Sequence, residues 1–230
     1  MTPVDVDRYR AVIEGQQAGG VRVVTVLDQG YPVDLRHIFN RLPFLFVRGT
    51  VGERDARAIA VVSSRQASAP GLELARLISA WLTGDGITIL SGLARGIDPA
   101  AHRPALATKG RTIAVMGAGI ALGYPPGHGS LAQEILASGG ALVSQFLPGS
   151  GPTHFSFPKR NAVMSGMAIG TVVVEASATS GARRQSRLAL EHGKRLFLLR
   201  PLVRFPSRHS GGHLRVMKPR RGLDPAIGIG

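Results

Sequence analysis

The chain has 230 residues, 44% hydrophobic and 18% charged, with 30 glycines, 15 prolines and no cysteine. That is long enough for one sizeable α/β domain with its own core, and it excludes a disulfide scaffold, a thiolate zinc site and a cysteine nucleophile. The formal net charge of +14 suits an anionic partner, but the excess is uneven: residues 183–230 hold twelve Lys and Arg against two acids, and the first 182 hold sixteen against twelve.

The opening MTPVDVDRYR carries acids and no apolar core, unlike a secretory signal. The uncharged stretch 112–133 is broken by Gly117, Gly119, Gly123, Pro125 and Pro126, unlike a membrane helix. A cytoplasmic protein with no membrane partner is expected. A helix is expected over residues 4–17, and eight apolar runs read as strands: VRVVTVL from Val21, FLFVRG from Phe44, AIAVV from Ala58, ITIL from Ile87, TIAVM from Thr112, ALVSQF from Ala141, TVVVEA from Thr171 and RLFLL from Arg195. Between them lie amphipathic stretches such as Leu72, Leu74, Ala75, Leu77, Ile78, Trp81 and Leu82. Near-continuous apolar strands alternating with helices predict an α/β, Rossmann-like, mostly parallel sheet with helices on both faces. Residues 1–50 are expected to form a lead-in lobe, 51–200 the Rossmann-like domain, and 201–230 a basic tail of poor order.

The carboxyl ends of parallel strands open on one edge, and their loops gather there. In ILSGLARGIDPAAH the strand ends at Ser91-Gly92, the turn runs to Gly96, and Asp98-Pro99 is expected to supply a helix N-cap and first helical residue. Backbone N–H groups and the positive helix end would then face an anion, with Arg95 as a charged donor. SSRQAS adds Arg65 beside Ser63, Ser64 and Ser68, and FPKRN places Lys159, Arg160 and Asn161 after Pro158 at another helix start. Convergence of Arg65, Arg95, Lys159 and Arg160 makes a phosphate-backbone site, because guanidinium groups grip phosphate oxygens bidentately.

Competing chemistries fare worse. There is no GxxxxGK[ST] phosphate loop and no GxSxG nucleophile elbow. Gly117, Gly119 and Gly123 nearly match a dinucleotide fingerprint, but the third glycine falls one residue late and no acid ends the next strand. Asp98 and His102 lie one turn apart and could share a proton or a metal, although a cap and a helix-face histidine explain them more simply. His209 and His213 flank Ser-Gly-Gly and make no helical zinc motif. No cofactor, metal or catalytic residue is expected.

Together YPVDLRHIFNRLPFLFVRG, AIAVVSSRQAS, SGLARGIDPAAH, TIAVMGAGIALGYPPGHGSL, FPKRN and VVVEASATSGA closely resemble the DNA-processing protein A (Smf) family, over roughly residues 20–199. The resemblance implies an extended Rossmann-like domain that binds single-stranded DNA, forms a homodimer and helps load the RecA recombinase in natural transformation. Its DNA-contacting positions would fall on Ser64 and Arg65, on the Gly92–Gly96 turn with Arg95, and on Lys159, Arg160 and Asn161. The chain departs from the family pattern at Ser63, where a glycine is usual, at Gln145, where a glutamate is common, and after SGA, where RRQSR replaces a small, Thr-containing helix start. The family's continuation is not expected beyond Pro201. Two alternatives stand beside this reading. One is a lysine-decarboxylase-like nucleoside monophosphate phosphoribohydrolase, whose PGGxGTxxE motif PPGHGSLAQE approaches with Glu134 one residue late. That offset turns the carboxylate about 100° around its helix. The other is an interaction scaffold that has lost DNA binding.

Overall fold

In a computed structural model, the structure describes residues 3–63, 67–122, 127–176, 180–199 and 214–217. Six parallel strands form the centre: β3 (Ala58–Val62), β4 (Thr88–Ser91), β5 (Thr112–Val115), β6 (Ala141–Ser144), β7 (Gly170–Val173) and β8 (Arg195–Leu199). Beyond β6 the sheet continues antiparallel through β2 (Phe44–Gly49) and β1 (Val21–Thr25), and beyond β8 through β9 (Leu214–Met217). The order is β1-β2-β6-β5-β4-β3-β7-β8-β9. All eight apolar runs are strands, and the chain reverses its winding at β3, which lies between β4 and β7. The expected poor order of 201–230 concerns residues outside those described, apart from β9.

Alternate strand residues serve two cores. Ala58, Ala60, Val62, Leu90, Ile113 and Val115 face α5 (Ser156–Met167) and α6 (Gly181–Glu191). Ile59, Val61, Ile89 and Ala114 face α2 (Ala69–Gly84), α3 (Ile97–Ala107) and α4 (Gly129–Ala137). Burial on both faces is why these strands lack polar alternation in the sequence. The remaining helix, α1 (Pro3–Gln17), precedes β1. On α2 the apolar stripe is wider than the face it buries: Leu77 and Trp81 are 59% and 65% exposed.

The amino edge of the sheet is closed by charge pairs. Asp55 accepts from Arg111 Nε and Nη2, both at 2.8 Å, from Thr88 Oγ1 at 3.1 Å and from the Gly52 N–H at 2.9 Å. Arg111 also donates to the Thr50 and Gly139 carbonyls. Lys194 reaches Asp34 at 2.6 Å just before β8 begins.

Candidate nucleic-acid interface

The opposite, carboxyl edge carries Gly92, Arg95, Gly96, Lys159, Arg160 and Asn161. After β4 the chain turns through Gly92–Gly96 into α3. Gly96, with φ +96° and ψ −119°, is the N-cap, a conformation open to glycine because it has no Cβ. The helix therefore starts one residue before Asp98, which is not the cap expected from Asp-Pro. Asp98 instead folds back and accepts from the Ala94 N–H at 2.9 Å and Ser91 Oγ at 3.1 Å. Pro99 lies in the first turn, where a missing N–H costs no helical bond.

Gly92 is a meeting point. A Cβ placed on it would lie 1.8 Å from Arg160 Nη1 and 2.5 Å from Asp98 Oδ2, so the guanidinium and the carboxylate are neighbours across its α-carbon. Arg160 donates from Nη1 to the Val115 carbonyl at the end of β5, 3.0 Å, and from Nε to Asn161 Oδ1, 3.1 Å. Asn161 is buried and its amide nitrogen reaches the Gly181 carbonyl at the start of α6, 3.5 Å. The two bonds that Arg160 donates help to hold it in place, half-buried rather than fully solvent-facing. Lys159, next in sequence, is exposed, as is Arg95 on the α3 turn. Gly92, Arg160 and Asn161 come together, with Arg95 and Gly96 on the same turn as Gly92, while Ser64 and Arg65 lie outside the described residues.

The local sequence explains why α5 begins where it does. Thr153 and Ser156 exchange hydrogen bonds, each hydroxyl accepting the other's N–H, at 3.0 and 3.1 Å, which satisfies two orphan donors in the manner of a capping box. Phe155, between them, is 77% exposed and one turn before Lys159. Sequence reading passed over it, although an aromatic beside FPKRN was visible.

His102 is buried within α3. Its Nε2–H donates to the Gly92 carbonyl at 2.7 Å, and its Nδ1 faces Thr112 Oγ1 at 2.6 Å. Burial holds the imidazole below its usual pKa, although the Gly92 bond and the Asp98 charge pull the other way. The ring is a neutral tie for the turn, and no His/Asp/Glu cluster suited to a metal occurs among the described residues.

Glu175, just past β7, was missed altogether. It accepts from the N–H and hydroxyl of Ser68, the N-cap of α2, and its backbone carbonyl accepts from Ser63 Oγ at 2.9 Å. A Cβ on Gly71 would strike this carboxyl group, 2.4 Å from Cδ. The start of α2 is therefore occupied by the protein's own carboxylate. The glycines of the near-dinucleotide pattern are packing positions: a Cβ on Gly117 would meet Phe157 at 2.9 Å, and one on Gly119 the Leu147 carbonyl at 2.2 Å. Gly123 lies outside the described residues. Glu134, the residue of the enzyme alternative, faces Arg103 at 3.8 Å between α4 and α3.

The profile of the family described as DNA recombination-mediator protein A matches residues 22–219. The chain belongs to that family. The match passes Pro201 and takes in β9, farther than the sequence motifs reach. Among its relatives, Protein Smf of Escherichia coli is 42% identical over 169 residues, covering 74% of this chain and 45% of that protein. DNA processing protein DprA of Streptococcus pneumoniae is 35% identical over 175 residues, 76% of this chain and 61% of that one. The chain spans about half the length of the family relatives it matches. The solved S. pneumoniae structure superposes with a TM-score of 0.74 at 32% identity, over 86% of this chain and 70% of that one. A Helicobacter pylori DNA processing protein A, described for its single-stranded DNA binding mode, shares the fold at TM-score 0.70 and 23% identity, over 79% of this chain and 82% of that one. No helix among the described residues is long and apolar enough to cross a membrane.

Proposed function

We propose that the chain binds single-stranded DNA along the carboxyl edge of the sheet, through the phosphate backbone, and that it serves DNA processing in natural transformation by protecting incoming strands and helping to load the RecA recombinase as a homodimer. The observation that carries the reading is Arg160 seated on Gly92: the guanidinium donates to Val115 and Asn161 at a turn whose residue must lack a side chain. A pre-positioned arginine loses little freedom on meeting a phosphate. Arg95 and Lys159 extend the cationic surface, and the sequence places Ser64-Arg65 on the neighbouring loop. Phe155 offers a face on which a base can stack whatever its identity, which suits binding without sequence preference.

The test is fluorescence anisotropy of a labelled oligo-dT and of a mixed-sequence strand across a salt series. Affinity should be similar for both, and log affinity should fall with log salt by about 0.7 per phosphate neutralised. Binding that ignores salt, or that holds to one sequence, overturns the reading. Release of free base from nucleoside monophosphates in a parallel incubation would favour the phosphoribohydrolase instead.

A further inference from the structure

Two histidines from different helices pin the turn that follows β4. The Gly92 carbonyl accepts from His102 Nε2–H in α3 at 2.7 Å, and the next carbonyl, that of Leu93, accepts from His128 Nδ1–H at 2.5 Å. A carbonyl can only accept, so both ring nitrogens carry a hydrogen. His128 is half-buried and lies in GHGSL, the end of the connection from β5 into α4. Its backbone starts α4, where the Ala132 N–H reaches its carbonyl at 3.1 Å. Its ring makes no capping bond there and crosses instead to the turn of the neighbouring strand.

In a trans peptide the C=O and the following N–H point in opposite directions. Holding the Gly92 and Leu93 carbonyls on the two rings therefore turns the Leu93 and Ala94 N–H groups away from them. Asp98 takes the Ala94 N–H at 2.9 Å, while the Leu93, Arg95 and Gly96 N–H groups have no acceptor among the described residues. Leu93 is the anchor of the turn. Its side chain is 4% exposed and shares a core cluster with Ile120, ahead of α4, and Leu131, within it. Exposed Arg95 stands two residues farther on, so its aim depends on how Leu93 is held. We infer that His128 is a positioning residue of the strand site. It keeps a carbonyl oxygen, whose partial negative charge would repel a phosphate, on the imidazole and leaves the N–H groups of the same turn and Arg95 for the strand. The inference rests on the single-stranded DNA reading above and gives the β5–α4 connection a part in it.

The experiment compares the wild-type chain with His128→Ala, His128→Ser, His128→Asn and Arg160→Ala, by anisotropy of labelled oligo-dT at pH 7.5 and pH 6, with melting of each free protein. His128→Ala should weaken binding roughly threefold to tenfold, the fold-change of one ordinary hydrogen bond. It should also lower Tm by about 2–4 °C. Serine can cap α4 but is too short to reach Leu93, so His128→Ser should bind like the alanine variant. Asparagine carries an amide N–H at the reach of Nδ1, so His128→Asn should restore most of the binding and respond to pH as the wild type does. If His128→Ala keeps wild-type affinity while Arg160→Ala loses it, the positioning role is wrong and the main site stands. If His128→Asn binds as weakly as His128→Ala, or lacks a gain at pH 6 that the wild type shows, the imidazole serves by its charge and the role is again wrong. Alanine and serine variants that both fail to fold overturn it too, because the histidine would then be there to hold the fold. If the wild-type chain does not bind the strand, the functional reading fails first and this inference with it.

Discussion

The two edges of the sheet use charge in opposite ways. At the amino edge Arg111 and Asp55 meet in a two-pronged pair, with side chains 11% and 4% exposed, and Lys194 closes on Asp34. Those charges neutralise each other and seal the strand starts. At the carboxyl edge the carboxylates of Asp98 and Glu175 are turned onto backbone N–H groups, while Arg95, Lys159, Arg183 and Arg184 are exposed. An arginine buried against a carboxylate holds the fold, whereas these cations of the carboxyl edge face solvent. The formal count of +14 says nothing about this division.

The largest effect that would break the comparison is at the amino edge. Arg111→Ala leaves Asp55 buried without its partner, which should cost about 3–5 kcal/mol of stability, seen as a lowered denaturation midpoint in urea. The protein that remains folded should bind oligo-dT as before. A weakened affinity in the folded fraction would mean that the amino edge also serves the ligand.

Next comes Arg160→Ala, expected to weaken strand binding by about 1.5–3 kcal/mol, the scale of a charge-assisted hydrogen bond. Because Arg160 is half-buried and donates to Val115, some stability, about 1 kcal/mol, should go with it. Gly92→Ala sharpens the assignment, since its methyl group would occupy the guanidinium's place and should reproduce the binding loss without removing the charge. Normal binding by Gly92→Ala, measured by anisotropy, would show that the seat over Gly92 is unimportant.

How far the sequence reveals these differences depends on distance along the chain. The strands were legible because each is a short apolar run bounded by Gly, Pro or charge, and the Gly92–Gly96 turn because its glycines, caps and arginine are contiguous. Lys159, Arg160 and Asn161 were legible as a motif, but their union with Gly92 joins segments nearly seventy positions apart. Glu175 reaches Ser68 across 107 residues, and Arg111 reaches Asp55 across 56. No periodicity marks such a pair, so a carboxylate that closes a helix start reads like any surface acid. Asp98 was misplaced for a related reason: Asp-Pro is a sound N-cap signal, but Gly96 could take the positive φ that starts the helix earlier.

Acid should test the tie between the two edges. His102 joins the Gly92 carbonyl to Thr112 at the start of β5, and its pKa in the fold lies below the ordinary 6.5 because it is buried. The unfolded chain therefore binds more protons just below pH 6.5. The stabilising contribution of neutral His102 is complete above that value and declines as pH falls toward the folded pKa. The slope for one such group is at most about 1.4 kcal/mol per pH unit. His192, held low by burial and by Lys194, adds a contribution of the same sign at the amino edge. Urea midpoints measured between pH 7.5 and 5 should fall, and His102→Gln should flatten the fall at some cost in stability at neutral pH. An unchanged slope in that variant would assign the acid response to His192.

The smallest expected effect is at Asp98. Its carboxylate lies across Gly92 from Arg160, where a strand phosphate would feel its repulsion, yet it also accepts the Ala94 N–H that shapes the turn. Asp98→Asn keeps an oxygen for that N–H and removes the charge. Losing the carboxylate from the first turn of α3 should cost about 0.3–1 kcal/mol of stability, the worth of an acid at a helix N-terminus. Removing one like charge from beside the phosphate should strengthen oligo-dT binding by a few-fold at low salt, with the gain fading as salt screens it over a Debye length of about 10 Å at 0.1 M. The two changes have opposite signs and different salt dependence, so melting and anisotropy on the same sample separate them. A variant that binds more weakly at every salt concentration would show that Asp98 serves the strand by shaping the turn rather than by opposing its charge.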